Sequence, residues 1–119
     1  MAPAFRPGDF LVFQLEAGFG LLRVLDIDER ADAVTWHLAA YNELFPDVET
    51  AESATHDPRC LTVSALHLAI TNRAFASTQV ARLTNLPLQP AEIAPLDRWR
   101  SEPEHAVDDR SVRLLLGLR

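Results

Sequence analysis

The stretch PGDFLVFQLEAGFGLLRVLDI, residues 7–27, decides the fold. Pro7, Gly8 and Asp9 combine a fixed φ, tolerance of positive φ and a carboxylate that bonds to nearby backbone, which is turn chemistry. Residues 10–15 follow as a strand: Phe10 and Val12 lie on one face and Leu11, Phe13 and Leu15 on the other, so both faces are apolar. Glu16, Ala17 and Gly18 turn the chain into a second apolar run over residues 19–27. Gly20 inside that run predicts a bulge or a sharp bend.

Working outward, the charged residues 28–32 are expected to reverse the chain. Residues 33–41 alternate Val34, Trp36, Leu38 and Ala40 against Ala33, Thr35, His37, Ala39 and Tyr41, a third strand with Trp36 inward and His37 on the outer, solvated or hydrogen-bonded face. Residues 42–59 show no sustained period and contain Pro46 and Pro58. They read as a long loop with room for a short helix at 48–53. Pattern resumes with Val63, Leu66, Leu68 and Ile70 in a fourth strand, with His67 on its outer face. Residues 72–78 carry Phe75 through a turn or helical segment into a fifth strand at 79–84, and residues 86–90 end the sheet region. Ile93, Leu96 and Trp99 then recur at helical spacing. Pro95 must sit in the first turn of that helix or kink it. After a polar linker at 101–105, Asp108 and Asp109 in front and Arg113 and Arg119 behind suit the dipole of a short helix with Val112, Leu115 and Leu116 as its apolar face.

The resulting fold class is mainly β: a small SH3-like antiparallel barrel or a curled five-stranded sheet with one or two C-terminal helices. Residues 1–100 form one β-barrel-like domain with its helix, and residues 101–119 a C-terminal extension.

The chain has 119 residues, 48 % of them hydrophobic and 24 % charged, the composition of an ordinary globular protein of one domain. Its single cysteine excludes an internal disulfide, and no apolar run approaches the roughly 18 residues needed to cross a bilayer. A cytoplasmic location and no membrane association are expected. The 17 acids oppose 11 cationic side chains for a net charge of −6, and no basic run exists to neutralise phosphates, so nucleic acid is not an expected partner. The charge is uneven. Residues 26–59 hold nine acids against Arg30 and Arg59, a local charge of −7, while the remainder carries +1. Such asymmetry steers a basic partner to one face.

No catalytic constellation emerges. Cys60 lacks a local nucleophile signature and reads as a small buried hydrophobe. The four histidines have no metal-binding spacing, and Glu52, His56 and Asp57 in one loop fit an ordinary polar loop as well as a metal. No cofactor and no metal are expected. His37 and His67 can meet as a cross-strand pair. Phe10, Phe13, Phe19, Trp36 and Tyr41 read first as core and second as the lining of a groove.

Pro7-Gly8-Asp9-Phe10, Phe13, Leu15, Gly18-Phe19-Gly20 and Arg23-Val24-Leu25, together with Leu68-Ala69-Ile70, Phe75, Leu86-Pro87-Leu88 and Trp99, resemble the bacterial Immunity protein 26 family over residues 5–100. That resemblance implies a non-catalytic protein that binds and neutralises a cognate toxin. An acidic patch can mimic a phosphate backbone before a basic toxin domain, so Glu43, Asp47, Glu49, Glu52 and Asp57 are the expected partner-binding residues, with Phe45 as an apolar anchor. The alternative is a small adaptor or ligand-binding barrel whose aromatic groove is lined by Tyr41, Trp36 and Phe45.

Overall fold

The computed structural model describes residues 5–30 and 33–117. Five antiparallel strands form one sheet: β1 (Asp9–Leu15), β2 (Gly18–Arg30), β3 (Ala33–Tyr41), β4 (Val63–Thr71) and β5 (Val80–Asn85), in the order β4-β3-β2-β1-β5. The curled sheet expected from sequence is what forms, and it stays unclosed because β4 and β5 remain its two edges. Glu16 and Ala17 make the tight hairpin between β1 and β2, whose flanking pair is Leu15 with Gly18. The long β2 lends its first half to β1 and its second half to β3, with a register shift between Val24 and Asp26. That shift is the bulge of β2. Gly20 is not one: it pairs in register with Phe13, and a Cβ there would stand 2.8 Å from the Phe13 ring. The glycine makes room for an aromatic side chain instead of bending the strand.

Both faces of the sheet are covered, as the two-sided pattern of β1 demands. On one face Leu11, Phe13, Val24, Trp36 and Ile70 pack with Ala74 and Phe75 of α2 (Asn72–Ala76) and Val112 of α4 (Val112–Leu115). Trp36 stacks on Phe75 with ring centroids 3.7 Å apart. On the other face Phe10, Val12, Leu21 and Tyr41 pack on Ala51 of α1 (Val48–Thr55), and Leu25 and Ala39 pack on Leu96 of α3 (Pro90–Ser101).

Four local expectations are resolved. The short helix allowed at 48–53 forms as α1, capped by Asp47, and a 3-10 turn, Pro58–Cys60, follows it, so residues 42–59 are not one continuous loop. Pro95 lies inside α3, since Pro90 takes the first helical position; the Pro95 ring leaves no N–H for the carbonyl one turn earlier. The α4 cap is Ser111, while Asp108 forms a parallel bridge with Ile70 and Asp109 accepts from the Thr71 hydroxyl and from Arg73. Arg119 lies outside the described residues. Finally, residues 28–30 do not turn but extend β2.

Replacing Gly20 by alanine forces a methyl group against a Phe13 ring that is only 3 % exposed. Urea unfolding should show a loss of about 1–3 kcal/mol, the usual cost of overpacking; an unchanged midpoint would contradict this reading of the glycine.

Candidate functional site

The acidic segment predicted to meet a partner is a fixed structural feature. The Asp47 carboxylate accepts from the Thr50 amide and hydroxyl, both at 2.7 Å, which starts α1. Ala51 and Thr55 turn inward, and the Thr84 hydroxyl donates to that of Thr55 across to β5. Glu43 accepts from the Thr62 amide at 2.7 Å, pinning the two ends of the segment together. Asp57 accepts from Arg59 and from the Cys60 thiol. The Thr50 bonds hold the Asp47 carboxyl below its ordinary pKa, and the bonds from Arg59 and Cys60 do the same for Asp57. At Glu43 slight burial opposes the charge, but the Thr62 bonds outweigh it and the pKa is lowered. Each of these three acids is therefore charged at neutral pH and also does local structural work.

Glu49 and Glu52 differ. Both are exposed on α1, and neither has an ion-pair partner among the described residues. Phe45, the expected anchor, pairs its backbone with Phe19 through bonds of 2.8 and 2.9 Å and rests its ring on the interior, so it is only partly available. Gly18 explains the close fit, because a Cβ there would meet the Phe45 carbonyl oxygen at 2.6 Å. The exposed apolar residues of this segment are Leu44 and Val48, each 40 % accessible. Cys60 is exposed, not a buried hydrophobe, since the 3-10 turn that carries it buries none of its residues.

Beside the segment lies a pocket of about 270 Å³. Leu25, Ala39 and Tyr41 floor it, while Pro58, Leu61 and Ala91 wall it. A neighbouring groove that reaches Arg23, Asp57 and Arg59 shares Pro58 and Glu92 with the pocket. The aromatic groove expected from Tyr41, Trp36 and Phe45 does not form. Trp36 lies on the opposite face of the sheet, and Phe45 belongs to the cluster around Phe10.

Sequence reasoning missed a polar network under the end of α3. His37 is fully buried rather than solvated, because α3 lays Trp99 over its face of the sheet at a centroid distance of 4.9 Å. Asp28 Oδ2 lies 2.8 Å from His37 Nε2, and His37 Nδ1 lies 2.9 Å from His67 Nε2. An ionised Asp28 can only accept, so neutral His37 carries its proton on Nε2 and its Nδ1 accepts from His67. Arg100 donates to Asp26 and Asp28, both at 2.7 Å. At Asp28 burial opposes ionisation, but the bonds from His37 and Arg100 prevail and its pKa is lowered. Burial also lowers the pKa of His37, against the pull of Asp28. His67 falls to about 4, through burial first and then through His37 and Arg100. The cross-strand pairing of His37 and His67 was legible from alternation; its burial was not, because no local pattern tells which face a distant helix covers.

Among the described residues no group of three or more His, Cys, Asp and Glu side chains is placed to hold a metal ion, and no helix is long and apolar enough to cross a membrane. Comparison of the chain with family models, curated proteins and solved structures gave no match. The family resemblance therefore rests on the residues quoted above.

The native state holds His67 neutral, whereas the unfolded chain takes up its proton near pH 6.5. Stability should fall as the pH drops from about 6.5 toward 4, and Tm measured across that window should decline. In His67→Gln the decline should flatten; a variant that falls as steeply as the parent would show that the histidine is not its source.

Proposed function

We propose that this domain is a non-catalytic protein-binding module that meets a basic partner through the segment 43–57. The observation that carries this reading is the state of α1: Glu49 and Glu52 are exposed and have no ion-pair partner among the described residues, beside the exposed Leu44 and Val48, on a helix anchored to the sheet by Ala51. Unpaired acids on a fixed helix project a negative potential that costs no rearrangement on binding, which raises association rate and selects basic partners. Glu43 and Asp47 add to that potential while shaping the segment; Asp57, ion-paired with Arg59, shapes it without adding net charge, and Phe45 packs in the cluster that holds Ala51. The resemblance to the Immunity protein 26 family makes a toxin domain, neutralised in the cytoplasm, the partner class of choice. Neither a cofactor nor a catalytic residue enters this reading.

The test uses the product of the adjacent reading frame as partner. Glu49→Gln/Glu52→Gln should weaken binding severalfold, mainly through a slower association rate, and should flatten the salt dependence. Extending the change to Glu43 and Asp47 should weaken binding further. Unchanged affinity and unchanged salt dependence, or no association of the parent protein, would overturn the proposal.

A further inference from the structure

The pocket floored by Leu25, Ala39 and Tyr41 contains one polar group with no hydrogen-bond partner among the described residues. Tyr41 is only 8 % exposed and stacks on Phe10 at 5.9 Å, yet its hydroxyl has no hydrogen-bond partner among the described residues. The oxygen is not sealed in, since the one enclosed and unsatisfied side-chain atom among those residues is the Thr78 hydroxyl. A hydroxyl on a ring nine-tenths buried, without a hydrogen-bond partner among the described residues, at the floor of a mostly apolar cavity with Glu92 in its wall, is a recognition element awaiting an acceptor or a donor. Burial also raises its pKa to about 12, so it meets any occupant as a neutral hydroxyl.

Size selects the occupant. At about 270 Å³ the cavity falls just below the roughly 300–1,000 Å³ of pockets that enclose whole ligands and cofactors, and it suits a single large side chain. The lips point the same way. Val63 and Leu66 on the edge strand β4 are 41 % and 58 % exposed, an apolar rim of the kind a protein interface covers. The edge itself is a poor template for an added strand, because the register of β4 against β3 shifts twice, between Leu38 and Ala40 and again between Ala40 and Tyr41. Charge completes the description. Asp57 borders the adjoining groove together with its ion-pair partner Arg59, whereas Glu43, bonded to the Thr62 amide between the pocket residues Leu61 and Val63, has no cation partner among the described residues and leaves a negative charge at the rim.

We infer that this pocket receives one aromatic side chain bearing a hydrogen-bonding group, tyrosine or tryptophan, from a basic segment of the partner protein. The inference rests on the protein-binding reading above and names the anchor for that same surface. Tyrosine and tryptophan are the residues that most often fill such central pockets in interfaces. Here the ring would lie on Leu25, Ala39 and Leu61, its polar group would bond to the Tyr41 hydroxyl, and flanking arginine or lysine would face Glu43 and the acids of α1.

The test needs no partner. p-Cresol and toluene are titrated into the isotope-labelled full chain and amide shifts are followed. Both should give saturable shifts at Leu25, Ala39, Leu61 and Ala91, with p-cresol binding roughly three- to tenfold tighter, the worth of one neutral hydrogen bond. Tyr41→Phe should remove that difference while leaving toluene binding intact. Leu66→Glu, at an exposed position that spares the fold, should weaken both. Shifts scattered over the surface, or equal affinity for the two probes in the parent protein, would overturn the inference. Fragment binding alongside a failed partner assay would keep the pocket and remove the acidic-surface reading; the opposite pair of results would do the reverse.

Discussion

Arg23 is a permanent charge buried to 2 % exposure in the middle of β2, and the arrangement of the chain around it follows from the need to satisfy it. A guanidinium cannot shed its proton, so its donors must find acceptors where they stand. Arg23 donates to the Gly8 carbonyl at 2.6 Å, to the Pro87 carbonyl at 3.3 Å and to both oxygens of Glu92 at 3.3 Å, and its cationic carbon lies 4.2 Å above the Phe10 ring. One side chain thus ties the turn before β1, the exit from β5 and the start of α3 to the sheet centre. Taking away a partner of such a buried charge costs about 3–5 kcal/mol, enough to threaten a small domain.

The same contacts shape the surface assigned to binding. Glu92, held by Arg23 and by the Gln89 amide, lines the pocket, and Phe10, held under the guanidinium, supports the Tyr41 ring at its floor. Asp47 and Glu43 then fix the acidic segment beside that floor through bonds to Thr50 and Thr62. Preorganised groups lose little conformational freedom on association, so a modest patch of this kind can bind selectively. At the far end of α3, Arg100 bonds to Asp28 of β2 and Trp99 lies against His37 of β3 and His67 of β4, which the Asp28–His37–His67 chain joins to one another.

Much of the sheet was legible because alternation is local. The third strand was read over residues 33–41, where β3 runs, and the first was read as apolar on both faces, as its two core clusters require. What escaped depended on contacts distant in sequence. His37 reads as an outer residue until α3 covers it, and Gly20 reads as a bend until Phe13 lies across it. Arg23 left a signal, a lone cation within an apolar run, yet its acceptors come from the residues at 8, 87 and 92. The acids of the candidate surface were visible as a charge excess. Their division into structural Asp47, Glu43 and Asp57, and Glu49 and Glu52 with no ion-pair partner among the described residues, was not, because it turns on hydrogen bonds. The Asp47 cap had a local cue in the threonine three residues on.

The central claim is that acid segment and pocket form one surface for a basic, aromatic-bearing segment. Amide shift mapping with a blocked peptide holding one tyrosine among arginines addresses it directly. The account predicts perturbations along α1 and at Tyr41, Leu61 and Ala91 that shrink together as salt is added. Perturbations centred instead on α2 and α4, across the sheet, would contradict it.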